Sequence, residues 1–82
     1  MNLLLVVDGE RGALARILLT AERRGFRPVQ MTATEIGGGF LVHLAVESTR
    51  EIGLLRRMLA RLHDVRRVTL AEDLGAEEVS RP

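Results

Sequence analysis

Residues 29–46, Val-Gln-Met-Thr-Ala-Thr-Glu-Ile-Gly-Gly-Gly-Phe-Leu-Val-His-Leu-Ala-Val, read as two strands joined by a tight turn. Val29, Met31 and Ala33 alternate with Gln30, Thr32 and Thr34, the period of a strand with one apolar and one polar face. Gly37-Gly38-Gly39 accept the positive φ angles that a short hairpin requires. Beyond the turn, Phe40, Val42, Leu44 and Val46 share one face, and Leu41, His43 and Ala45 share the other.

On both sides of this hairpin the period changes to that of a helix. Upstream, Leu3 to Val7 is a short, continuous, branched run that suits a strand. It stops at the loop Asp8-Gly-Glu-Arg-Gly12, after which Leu14, Ile17, Leu18 and Ala21 fall on one helical stripe. Arg23-Arg24-Gly25 closes that helix, with two cations at the favourable end of its dipole and a glycine cap. Phe26 packs back, and Pro28 begins an edge strand. Downstream, Ser48 and Glu51 stand three apart as a capping box for a helix carrying Ile52, Leu55, Leu59 and Leu62. Val65, Val68 and Leu70 make a last short strand.

The order strand, helix, strand, strand, helix, strand predicts an α+β, ferredoxin-like βαββαβ sandwich. Right-handed crossovers put both helices on one face of a four-stranded antiparallel sheet, with the first and third strands central. The domain spans 1–71, and 72–82 is an acidic tail expected to be flexible. Leu4, Val6, Leu41 and Ala45, with His43 among them, line the face without helices. An apolar patch of that kind is expected to be covered by a partner.

Composition narrows the function. With 82 residues there is room for one small domain, and no Cys removes disulfides, thiolate metal sites and thiol nucleophiles. Two histidines, His43 and His63, set no metal motif and share no evident site with a nucleophile, so neither a metal nor a catalytic residue is expected. All twelve basic residues are Arg; residues 1–71 hold eleven of them against seven acids, too sparse for a phosphate-binding stripe. The only aromatics, Phe26 and Phe40, leave no base-stacking platform on the open face. Nucleic acid is therefore not an expected partner. The longest apolar run, Leu3 to Val7, is far short of the ~20 residues of a membrane span, and no secretion signal is evident, so the expected location is the cytoplasm.

Residues 6–31, VVDGERGALARILLTAERRGFRPVQM, resemble the start of an ACT domain, specifically that of the regulatory (small) subunits of acetolactate synthase. The likeness rests on Gly12-Ala13-Leu14, Arg16-Ile17 and Arg23-Arg24-Gly25-Phe26, and continues more loosely to about Leu70. It implies a non-catalytic homodimer that binds and activates the thiamine-diphosphate-dependent large subunit of branched-chain amino acid biosynthesis. Thiamine diphosphate, FAD and magnesium are expected on that partner and no cofactor on this chain. The resemblance also implies an amino-acid effector of the valine type, held between two copies. Asp8, Gly9, Gly12, Ala13 and Leu14 of one copy would meet Arg27 and Pro28 of the other, with backbone N–H groups at a helix start gripping a carboxylate. Gly9 and Arg27-Pro28 depart from the residues usual in valine-sensitive members, and the length matches the short subunits that activate with little feedback. Activation is thus expected ahead of valine sensing. The alternative is a stand-alone ACT-domain sensor of an amino acid that regulates another enzyme or a transcription factor.

Overall fold

Alternation along the first strand separates two environments. In the computed structural model, which describes residues 1–73, Leu3, Leu5 and Val7 of β1 (Asn2–Asp8) are fully buried, whereas Leu4 is half-buried and Val6 is exposed. The chain continues through α1 (Ala13–Arg23), β2 (Arg27–Ile36), β3 (Gly39–Glu47), α2 (Ile52–Ala60) and β4 (Val65–Leu70). The strands order as β2-β3-β1-β4 with every pair antiparallel, and both helices pack on one face. This is the expected βαββαβ sandwich with β1 and β3 central. The acidic tail expected over 72–82 lies, from residue 74 onward, outside the described residues.

Core residues come from the helix-facing positions of each element. Val42, Leu44 and Val46 of β3 join Leu3, Leu5 and Val7, and Ile17, Leu55, Leu59 and Phe26 close over them. In α1 the buried line is Ala13, Ile17 and Ala21, with Leu14 and Leu18 only partly covered. The expected stripe through Leu14, Ile17, Leu18 and Ala21 is thus turned toward the alanines, whose small side chains let the helix backbone approach the layer beneath.

Two local expectations meet different fates. The end of α1 is a Schellman motif: the Phe26 N–H donates to the Ala21 carbonyl at 2.9 Å and the Gly25 N–H to that of Glu22 at 3.1 Å. Phe26 and Ala21 are both fully buried, the apolar contact that accompanies such a cap. The capping box at Ser48 does not form. The cap of α2 is Glu51, without a side-chain hydrogen bond. Ser48 Oγ instead donates to the Gly25 carbonyl at 2.8 Å and accepts from the Arg50 N–H at 3.0 Å. Arg50 Nη1 donates to the Arg24 carbonyl at 2.9 Å. The carbonyls left open at the end of α1 recruit the turn before α2, and that competes with capping.

Two bulges shape the sheet. Pro28 pairs with Val46 and Gln30 with Ala45, so Val29 is an extra residue in β2. Val29 is consequently exposed rather than in line with Met31 and Ala33, which pair with Leu44 and Val42. On β4, Val6 pairs with Arg67 and Val7 with Val65, leaving Arg66 as the extra residue. The hairpin turns through Gly37 (φ +47°) and Gly38 (φ +81°), both in the left-handed region that a two-residue turn matched to the sheet's twist demands.

Candidate functional site

The loop after β1 is where the expected effector contacts begin. Asp8 is the last residue of β1, and its Oδ1 accepts from Nε of the bulged Arg66 at 2.7 Å. That contact with Asp8 raises the Arg66 pKa above its ordinary value. At Gly9 a Cβ would stand 2.3 Å from the Gly38 carbonyl oxygen, so loop and hairpin pack backbone against backbone. Gly12, at φ +80°, is the N-cap of α1. Ala13 is a core residue and its N–H donates to the Glu10 carbonyl at 3.2 Å, while Leu14 packs partly against the core. Asp8, Gly9, Gly12, Ala13 and Leu14 are therefore brought together. The helix they start has no side-chain cap and no acidic residue in its first turn, so no side chain of that turn offsets its positive end.

Arg27 and Pro28 are elsewhere. Arg27 forms an ion pair with Glu47, its register partner, and Pro28 is half-buried beside Val46. Asp8 pairs with Gly39 and Arg27 with Glu47, at the two ends of β3. Eight strand steps separate those ends, about 26 Å at ~3.3 Å per residue. One copy does not assemble both halves.

The five expected interface residues do share one surface. Leu4 pairs with His43, Val6 with Leu41 and Asn2 with Ala45, all on the face opposite the helices. Val6 and Leu41 are 37% and 41% exposed, and a shallow hollow runs between Leu4, Val6, Leu41, Arg67 and Thr69. Thr32 and Thr34 of β2 border it beside His43 and Leu41. His43 Nε2 lies 2.8 Å from Asn2 Oδ1.

Next to the effector loop is a cluster that the sequence reading did not single out. Asp64, in the turn between α2 and β4, is 1% exposed, and its carbonyl accepts the Asp8 N–H at 2.7 Å. Arg16 Nε donates to Asp64 Oδ2 at 2.6 Å. His63 Nε2 stands 2.9 Å from Asp64 Oδ1 and 3.3 Å from Glu10 Oε2. Burial pushes the Asp64 carboxyl up, but the contacts with Arg16 and Glu10 and the Arg16 and His63 charges outweigh it. The net position is below the usual carboxylate range. The sequence signal for this cluster was slight: Arg16 lay off the helical stripe, and His63-Asp64 read as an ordinary helix end.

The ACT domain model matches residues 9–68, most of the chain. This chain belongs to the ACT-domain family. No curated protein matches it significantly. ACT domains are regulatory and non-catalytic, and the family suggests a small-molecule regulatory role. The four-stranded sheet with helices on one face is the arrangement such a domain requires. Among the described residues, no helix of this ACT domain is long and apolar enough to cross a membrane.

Proposed function

We propose that this ACT domain is the regulatory (small) subunit of acetolactate synthase, a cytoplasmic homodimer that binds and activates the thiamine-diphosphate-dependent catalytic subunit in branched-chain amino acid biosynthesis. The observation that carries the reading is the register Gly12-Ala13-Leu14, Arg16-Ile17, Arg23-Arg24-Gly25-Phe26 within a family match that contains all of it. The thiamine diphosphate, FAD and magnesium of the reaction belong to the catalytic subunit, and this chain holds none of them. Activation then means that the domain binds the active arrangement of that subunit more tightly than the inactive one.

Pairing through the face of Leu4, Val6, Leu41, His43 and Ala45 would cover the exposed apolar side chains there. A valine-type effector would need the loop Asp8–Leu14 of one copy and Arg27-Pro28 of its neighbour, since one copy holds them at opposite ends of β3. Pro28 offers no N–H to such a ligand, which supports activation as the main task. The test is to mix purified domain and acetolactate synthase catalytic subunit, following turnover and co-sedimentation. A several-fold rise in turnover with a stable complex is expected. Unchanged turnover and separate sedimentation would overturn the assignment.

A second reading, a stand-alone amino-acid sensor for another enzyme or a transcription factor, is favoured by the uncapped start of α1. A ligand that binds only the folded state raises its melting temperature. A shift with an unbranched amino acid, and none with valine, leucine or isoleucine, selects this reading.

A further inference from the structure

We infer that Glu10, His63 and Asp64 form a binding site for a divalent transition-metal ion of the zinc type, whatever subunit the domain regulates. Their donor atoms lie within 4.8 Å of one another, one from the loop after β1 and two from the turn before β4. Asp64 supplies the decisive observation. Its side chain is 1% exposed, yet Oδ1 has no hydrogen-bond partner, although it points toward His63 Nε2 at 2.9 Å. His63 Nε2 stands within reach of that oxygen but makes its hydrogen-bond contact with Glu10 Oε2 instead. A buried carboxylate oxygen without a donor is costly and is normally satisfied by something.

The spacings suit an ion. Two donors bound to one ion at ~2.1 Å stand about 3.0 Å apart at a right angle and about 3.4 Å apart at the tetrahedral angle. Here His63 Nε2 is 2.9 Å from Asp64 Oδ1 and 3.3 Å from Glu10 Oε2. Arg16 occupies the other oxygen, Oδ2, so it holds the carboxylate in place while leaving Oδ1 turned to the cluster. With Arg16 balancing one carboxylate, the second leaves a net negative charge to attract a cation. One imidazole nitrogen with two carboxylates selects a borderline cation over calcium or magnesium, which prefer all-oxygen shells. His63 and Glu10 are exposed, so water completes the coordination. The ion would tie the loop carrying Glu10 to the turn carrying Asp64, adding to the bond from the Asp8 N–H to the Asp64 carbonyl.

The experiment is calorimetric titration of zinc chloride alone into the untagged chain, with thermal melts in zinc and in EDTA. Saturable binding of one ion per chain and a higher melting temperature in zinc are expected. His63→Ala and Glu10→Gln change exposed side chains outside the core, so both variants should fold. Each should weaken binding by roughly tenfold or more, since even partners behind the ligands contribute 10- to 100-fold. Glu35→Gln, an exposed carboxylate of β2 outside the cluster, should bind zinc as the wild type does. No saturable binding by the wild type, or an unchanged affinity in either His63→Ala or Glu10→Gln, overturns the site. Loss of catalytic-subunit activation with zinc binding intact bears on the proposed function alone.

Discussion

Leu41→Ala should weaken self-association of this ACT domain, and Leu41→Asp should abolish it at micromolar concentration. Leu41 pairs with Val6 across the two central strands and remains 41% exposed in a single copy. Full burial of a leucine side chain contributes about 1.5–3 kcal/mol, so covering the remaining fraction contributes about 0.6–1.2 kcal/mol. A two-fold interface buries the residue twice, or about 1.2–2.4 kcal/mol per dimer. With tenfold per ~1.4 kcal/mol, Leu41→Ala should raise the dissociation constant about 7- to 50-fold. Asp adds an unpaired charge in an apolar contact, a larger cost again. Sedimentation velocity over a dilution series reads the constant directly. Circular dichroism of the variants should stay native, because the core on the other side of β3 is built from Val42, Leu44 and Val46. A Leu41→Asp chain that dimerises like the wild type would refute pairing through this face and leave edge-to-edge pairing through β2.

Three further outcomes probe the fold and the loop beneath the candidate site. At Gly39 a Cβ would meet the Val7 carbonyl oxygen at 2.4 Å, so Gly39→Ala should displace the hairpin and lower stability by about 1–3 kcal/mol in urea unfolding. Phe26 is fully buried, and Phe26→Ala should cost about 3–5 kcal/mol. A domain of this size holds only about 4–12 kcal/mol, so a strongly lowered melting temperature by calorimetry is expected. Because the folded state lowers the Asp64 pKa, the stabilisation it brings is present above the ordinary carboxylate pKa of ~3.9 and is lost as pH falls through the lower folded value. Melts from pH 6 to pH 2 in EDTA should therefore show a shallower acid decline for Asp64→Asn than for the wild type.

Much of this architecture was legible along the chain. The period-2 alternation of 40–46 and the stripe of Ile52, Leu55 and Leu59 depend on neighbours a few residues away, and both hold in the structure, whereas Leu62, expected on the same helix, lies in the turn past the end of α2 and packs only partly against the core. The turn at Gly37-Gly38 and the cap at Gly25 are also local, set by which residues accept a positive φ. The loop half of the candidate site was readable for the same reason. Its other half, Arg27-Pro28, was readable as residues but not as a place, because its distance from Asp8 follows from the pairing of both with β3.

Element types, their order and the face each strand turns to its core are thus properties of this amino-acid string, since a backbone period repeats within one turn or one pleat. The bulges at Val29 and Arg66 and the diversion of Ser48 from its helix to the end of α1 come from folding. So does the meeting of Arg16 with Asp64, 48 residues away, and of both with Glu10 and His63. Contacts between distant segments depend on register and on which unsatisfied backbone groups lie nearest. Those are settled when the layers close, by geometry that no window of the sequence contains.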